Sequence, residues 1–505
     1  MDDSQRVATR PGAALAVLAG AQFTVMLATS IVNVALPQIR AGVGLSDSGT
    51  TWVVNAYGLA FGVLLLAGGR AADLWGRRRV LLVGTAVFVV SSLAAGLAAS
   101  PAALIAARAA QGVGAAVIAP SALALVMSLF PPGPARGRAL GVWGAVSGAG
   151  AAAGVLLGGA LTEVWGWPWI FHVTAAGAFL VLVAVALHIP RVPAVDAGRF
   201  DLAGTLTVTL ALTAAVWGLT TARVSGWTDA RVLGVLALTA VLLVAFALVE
   251  RRHRAPLVPP RLFAGGQVVA GNVLMALLGS VWIALFFFLP LYQQQVLGSG
   301  PLATGLGQLP LAAANMLGST LSPHVARRVG AGAAVAGALL VEAGGLLWLS
   351  RISPDGGYVA DVLGPSVLIG LGLGAAFVQL TALSVGGAPP ADAGVAGGLV
   401  NTTRQVGGAV GLAVLATLAG SRTADVATHL PRVEALTAGY RLAFGVSAAV
   451  IAGAALLALL SLRRTAAPDR RAHDRDRRAP APDRRAHDRD RRAPAPDHPP
   501  HTDDR

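Results

Sequence analysis

No cysteine occurs in the 505 residues, which excludes disulfides, zinc–thiolate centres and thiol chemistry. Lysine is absent too, so all 38 basic side chains are arginine. Charge of either sign is scarce: Asp, Glu, Lys and Arg make up 12% of the chain, about half the share of a soluble domain. Polar faces at a 3.6-residue period are missing from most segments, which argues against a long soluble helical protein. No His/Asp/Glu cluster has metal-ligand spacing and no Walker-type loop occurs, so neither a metal centre nor ATP hydrolysis is read. The expected protein is no enzyme and takes no cofactor. The arginines gather in short connecting segments and in a tail, so the net charge of +14 reads as membrane topology and not as nucleic-acid binding.

Apolar residues fill the space left by charge. They make up 55% of the chain, mean hydropathy is +0.68, and 62 glycines favour helices that approach closely in lipid. A membrane-crossing helix needs about 20 apolar residues. Such runs fall at 12–36, 51–69, 79–99, 101–129, 138–162, 168–189, 202–221, 231–249, 267–292, 302–321, 330–350, 358–383, 394–419 and 441–462. The first is too long for a cleavable signal and lacks a cleavage site. The expected fold is therefore an all-α integral membrane protein with 14 transmembrane helices, and an even count puts both termini on one side.

Arginine identifies that side. Arg77, Arg78, Arg79, Arg136, Arg138, Arg251, Arg252, Arg254, Arg327 and Arg328 fall in loops on the face shared with the termini, whereas the opposite loops hold fewer, such as Arg40, Arg223 and Arg351. The positive-inside rule makes the first face cytoplasmic, in a multi-pass protein of the cell membrane. The longest cytoplasmic connections flank the seventh and eighth runs. They divide the chain into a cytoplasmic N-terminus (1–11), a six-helix bundle (12–190), a two-helix central insert (191–262), a second six-helix bundle (263–462) and a tail (463–505). In the tail APDRRAHDRDRR at Ala467–Arg478 recurs at Ala481–Arg492. With almost nothing to bury, this segment is expected to be disordered.

Four segments carry chemistry. Gly69-Arg70-Ala71-Ala72-Asp73-Leu74-Trp75-Gly76-Arg77-Arg78-Arg79 sets a tight turn between an acid ending one helix and a basic cluster opening the next. Arg108 lies inside an apolar helix with Gln111, Gly112 and Gly114 following it. Gly141, Gly150, Gly154, Gly158 and Gly159 form a smooth face on the fifth run, and the first ends in Leu27-Ala28-Thr29-Ser30-Ile31-Val32-Asn33-Val34-Ala35-Leu36-Pro37. The loop resembles the G-x-L-A-D-R-x-G-R-R signature of the major facilitator superfamily, with Ala71 and Leu74 departing. The fourth span resembles its R-x-x-Q-G-x-G-x-A signature. The fifth resembles the antiporter pattern G-x8-G-x3-G-P-x2-G-G, with Val155 in place of the proline. The first is similar to L-D-x-T-I-V-N-V-A-L-P of fourteen-span drug:proton antiporters. Trp52–Tyr57, Pro290–Gly298 and Asn401–Gly408 agree with that family, so the resemblance covers nearly all of residues 12–462.

The resemblance implies export of small hydrophobic molecules by alternating access between two bundles, with the bilayer, the substrate and protons as partners. It makes Asp73 a gate latch facing the start of the thirteenth span near Ala393 or Gly394, where the helix dipole favours an acid. Ala28 stands where the family has an acid, so proton exchange at that position is gone. The deepest remaining acid is Glu342, which is expected either to take over coupling or to fill a structural role. Arg108 without that acid tilts the cavity positive, which favours neutral or anionic substrates over lipophilic cations. Arg404 is a further cation within a span. Asn33, Tyr57, Asn272, Trp282 and Tyr292 are candidate pocket lining. An importer of the same superfamily and a transport-inactive sensor stay open.

Overall fold

Inside a bilayer every backbone N–H and C=O must find its partner within the protein, which for a single apolar run means a helix. The computed structural model describes residues 11–130, 134–190, 201–226, 228–253, 256, 258, 261–262, 266–386 and 393–462, and no strand occurs among them. The helices in chain order are α1 (Pro11–Val43), α2 (Asp47–Trp75), α3 (Arg77–Gly96), α4 (Pro101–Leu129), α5 (Pro134–Trp165), α6 (Pro168–His188), α7 (Leu202–Ser225) and α8 (Ala230–Arg252). They continue with α9 (Gly266–Gln295), α10 (Pro301–Gly307), α11 (Leu309–Val329), α12 (Ala331–Leu349), α13 (Gly364–Gly386), α14 (Ala393–Val426) and α15 (Arg432–Leu462).

Local chemistry sets the starts. Ser46 and Ser100 accept hydrogen bonds from the amides of Gly49 (3.1 Å) and Ala103 (3.3 Å). Asp201 and Asp229 cap α7 and α8 in the same way, at 2.7 Å each. Proline occupies the first turn of α4, α6 and α10, where its missing N–H costs nothing.

Twelve helices among the described residues are long and apolar enough to cross a membrane. Of the expected runs, 51–69 lies in α2, an apolar stretch interrupted by the buried Thr51 and Asn55, and 302–321 falls outside that set. The run 302–321 is broken at Gln308 into the short α10 and α11, and α11 carries Asn315, Ser319, Thr320 and Ser322. Two of these polar groups reach other helices: Asn55 donates to the Ala409 carbonyl (3.3 Å) and Ser322 to the Ala375 carbonyl (2.9 Å), whereas Thr51 and Thr320 return to carbonyls of their own helices. Burial against protein removes the need for an apolar side chain there. The run 358–383 also changes character, opening with a π-helical turn at Tyr358–Leu363 before α13.

Helices α1–α6 pack on one another, chiefly α2 on α4, α1 on α5, and α3 on α4 and α6. Helices α9 and α11–α15 form a second set: α11 on α13, α9 on α14, and α12 on α13 and α15. The sets meet where α2 touches α14, α5 touches α10 and α1 touches α9. Helices α7 and α8 form a hairpin, and α7 lies across the α2–α14 crossing, where Val216 joins Leu59, Val63, Ala409 and Ala413 in one apolar cluster. Large apolar side chains such as Val90, Leu180, Leu187, Val241 and Leu460 face outward, an arrangement suited to lipid. The N-terminal segment, the connection 191–200 and the repeated tail lie outside the described residues.

Candidate functional site

Arg108 has to be read against its cost, since a cation at the centre of a membrane helix is unfavourable by at least about 2.5–3.5 kcal/mol. It is 1% exposed. Its Nε donates to the Val53 carbonyl (3.0 Å) and its Nη1 to Gln111 Oε1 (2.6 Å), with the Ala28 carbonyl a weak third partner at 3.5 Å. Gln111 passes the connection on by donating to Ser92 Oγ (2.8 Å). The guanidinium carbon stands 4.3 Å from the ring centre of Tyr57, whose hydroxyl donates to the Val25 carbonyl (3.1 Å). Arg108 and Gln111 thus tie α1, α2, α3 and α4 together. Ala28 turns only its backbone oxygen to the cation, so amide, carbonyl and ring surround the charge.

Glycine makes this close gathering of helices feasible. A Cβ on Gly112 would strike the Tyr57 carbonyl, and one on Gly114 would lie 2.9 Å from the Gly84 oxygen. Along α5, Gly150, Gly154 and Gly158 rest on the backbone of Phe23, Leu27 and Ile31 in α1, while Gly159 rests on Pro301 and Leu302 of α10. Gly141 lies in the first turns of α5. A Cβ at Gly150 or Gly154 would sit 2.8 or 2.7 Å from a backbone oxygen of α1. Gly158→Leu is therefore expected to push α1 from α5, costing about 1–3 kcal/mol and most of the transport activity. Gly177→Ala, with open space at the Cβ position, is expected to change neither. Thermal-shift and efflux measurements on both variants check this.

In the loop signature, Gly76 has φ +91, a conformation that suits glycine, and it ends α2 and begins α3 at one residue. Gly69 packs against Pro120 of α4. Arg77 donates to the Ala124 carbonyl (3.3 Å) and to Ser128 Oγ at the end of α4, and Arg78 to the Ala186 carbonyl (2.7 Å) at the end of α6. These arginines splice helix ends. Asp73 belongs to the last turn of α2, and its side chain lies outside the described residues.

The second helix set holds two further groups. Glu342 is fully buried on α12 against Gly372 of α13, and neither carboxyl oxygen has a hydrogen-bond partner among the described residues. Arg404 of α14 donates from Nη2 to Asn401 Oδ1 (2.8 Å) and lies 5.2 Å from the Trp282 ring centre and 6.0 Å from that of Phe377. Asn272 is adjacent in the same set, accepting from Thr403 Oγ1 (3.0 Å).

The expected pocket residues therefore separate. Tyr57 joins Arg108 and Trp282 joins Arg404, whereas Asn272 meets Thr403. Asn33 is buried on α1. Tyr292 lies near the end of α9, donating to the Ser353 carbonyl (2.9 Å) and to Asp361 (3.1 Å). Sequence reasoning missed the side chains that join the two sets. Gln38 of α1 donates to Gln294 Oε1 (3.1 Å), Gln294 donates to the Val34 carbonyl (2.7 Å), and Glu163 of α5 accepts from the Leu302 amide (2.9 Å). The run Gln293-Gln294-Gln295 at a helix end was the available signal: Gln295 also accepts from the Tyr440 hydroxyl (2.9 Å).

The family model described as Major Facilitator Superfamily matches residues 18–412. The chain is 43% identical to the cephamycin export protein CmcT of Amycolatopsis lactamdurans over 82% of its length and 87% of that protein. It is 41% identical to the puromycin resistance protein pur8 of Streptomyces alboniger, over 90% of this chain and 92% of the relative. Among solved structures, a bacterial homologue of the human lysosomal transporter Spinster, inward-facing and unoccupied, superimposes with a TM-score of 0.65 at 16% identity, covering 90% and 97% of the two chains. That likeness concerns the fold alone. The family model covers most of the length and the relatives match over four-fifths or more of it: this chain belongs to the major facilitator superfamily.

Proposed function

We propose that this protein exports small, largely hydrophobic natural products or drugs from the cytoplasm by alternating access, driven by the proton gradient. The observation that carries the export direction is similarity, over four-fifths or more of the chain, to proteins named for cephamycin export and puromycin resistance. The helix contacts support the mode of action. The two sets are joined through Gln38–Gln294, Glu163–Leu302 and Asn55–Ala409, polar contacts suited to breaking and reforming as the halves rock.

In this reading the chain crosses the bilayer fourteen times, with α2 and the more polar α10–α11 pair completing the count and both termini in the cytoplasm. Residues 12–190 and 263–462 are the two six-helix halves, and 191–262 is the insert that bridges them at the α2–α14 crossing. Under that orientation Gln38, Gln294 and Glu163 lie at the outer end, so the outer gate is closed. Asp73 latches the opposite end when the cycle turns. Neither ATP nor nucleic acid has a part.

The test is transport itself. Inverted membrane vesicles containing the protein should accumulate puromycin when acidified inside, and an uncoupler should abolish the accumulation. Cells expressing it should retain less drug than cells without it. Greater uptake by intact cells would support an importer, and no change in either assay would leave the sensor reading.

A further inference from the structure

The two membrane arginines are not equivalent. Arg108 is sealed, with its donors directed to backbone and amide. Arg404 is half-buried, as are Trp282, Phe377 and Asn401 around it. It stands eleven residues beyond Ala393, the first residue of α14, which is about 16 Å along the axis and too deep for the side chain to reach back to the helix end.

Resting on the export reading, we infer that Trp282, Phe377, Asn401 and Arg404 recognise the acidic group of a flat aromatic carboxylate. Three helices build the corner: α9 supplies Trp282, α13 Phe377, and α14 Asn401 and Arg404. The two rings meet edge to face, with centres 5.4 Å apart at 80°, and form perpendicular walls. The guanidinium lies against both, at the distances of cation–π contacts. Of its five N–H donors, the described contacts use one, to Asn401. Nε has no partner, and no carboxylate pairs with Arg404 among the described residues.

A cation at this depth, held by two rings and one amide, is half of an ion pair. The planar fork of arginine matches a carboxylate in two parallel hydrogen bonds, a geometry that the point charge of lysine does not reproduce. The rings beside it offer an aromatic body a face and an edge to stack on. A lipophilic cation finds repulsion at the same place. The positive character expected of the cavity thus comes from Arg404, because Arg108 is enclosed.

Anthracene-9-carboxylate and its neutral methyl ester separate the charge from the ring, and both are fluorescent. In inverted vesicles carrying the full chain, Arg404→Gln is expected to raise the half-saturating concentration of the acid by roughly tenfold or more, and that of the ester by less than about twofold. Arg404→Lys should recover part of the loss, and Trp282→Ala should weaken both compounds. Equilibrium binding to purified protein, with elution as a single species by gel filtration, guards against misfolding. An unchanged response to the acid, or an equal loss for acid and ester, overturns the inference. So does a wild-type protein that moves the ester and not the acid, which leaves the export reading intact. Transport of neither compound alongside puromycin accumulation also overturns it without touching export, whereas the absence of all three removes both readings.

Discussion

Arg108→Ala is expected to abolish transport and to lower the thermal stability of the detergent-solubilised protein by a net of about 2–5 kcal/mol. Opposing terms enter. The substitution removes two hydrogen bonds from a charged donor, worth about 1.5–3 kcal/mol each, and a cation–π contact worth about 2. It also removes the cost of holding a cation in the membrane interior, at least about 2.5–3.5 kcal/mol, so the loss is smaller than the list of contacts suggests. What outlasts this cancellation is the unpaired amide of Gln111 and the loosened junction of four helices. Arg108→Lys keeps the charge but cannot serve Val53 and Gln111 from one plane while lying over Tyr57, and should also fail. Arg108→Met, apolar and similar in length, should recover stability before it recovers transport. Thermal melts and vesicle uptake on the three variants check this. An alanine variant that transports normally would reduce Arg108 to a packing residue.

The arginine node shows how far sequence reasoning reaches. A charge in the middle of an apolar run is conspicuous, and the three-residue spacing to Gln111 on a helix foretells their contact. Tyr57 as the third member is not legible, because nothing local links α2 to α4. The Arg404 corner is half legible for the same reason: Arg404 and Trp282 stand out, but Phe377 looks like any other apolar residue of its span. Spans were easiest to read where lipid contact demands unbroken apolar runs. They were hardest in α10–α11, where Ser322 finds its partner on α13 and Gln308 interrupts the helix. The contacts between the two sets at Gln38–Gln294 and Glu163–Leu302 join residues far apart in sequence, so only the fold brings them together.

Glu342→Gln is expected to stop accumulation driven by a pH difference, by about tenfold or more, while substrate exchange without a gradient continues. Glu342 is the carboxyl buried in mid-span on α12, whereas Asp201 and Glu250, the other buried acids among the described residues, belong to the ends of the insert helices. No donor reaches either of its oxygens among the described residues. An ionised carboxylate there would be unsolvated, so loading and unloading a proton require the α12–α13 contact to open. That contact is close: a Cβ at Gly372 would lie 2.7 Å from the Glu342 Cβ, so the acid rests directly on the backbone of α13. The same helix carries Phe377 five residues on, beside Arg404. In the proposed cycle, a shift of α13 that lets water reach Glu342 would also move one wall of the proposed substrate corner, giving proton and substrate a shared moving part without any direct contact. Glutamine keeps the shape and removes the titration, so a structural role for Glu342 predicts accumulation close to the wild type, and that result would separate the acid from coupling.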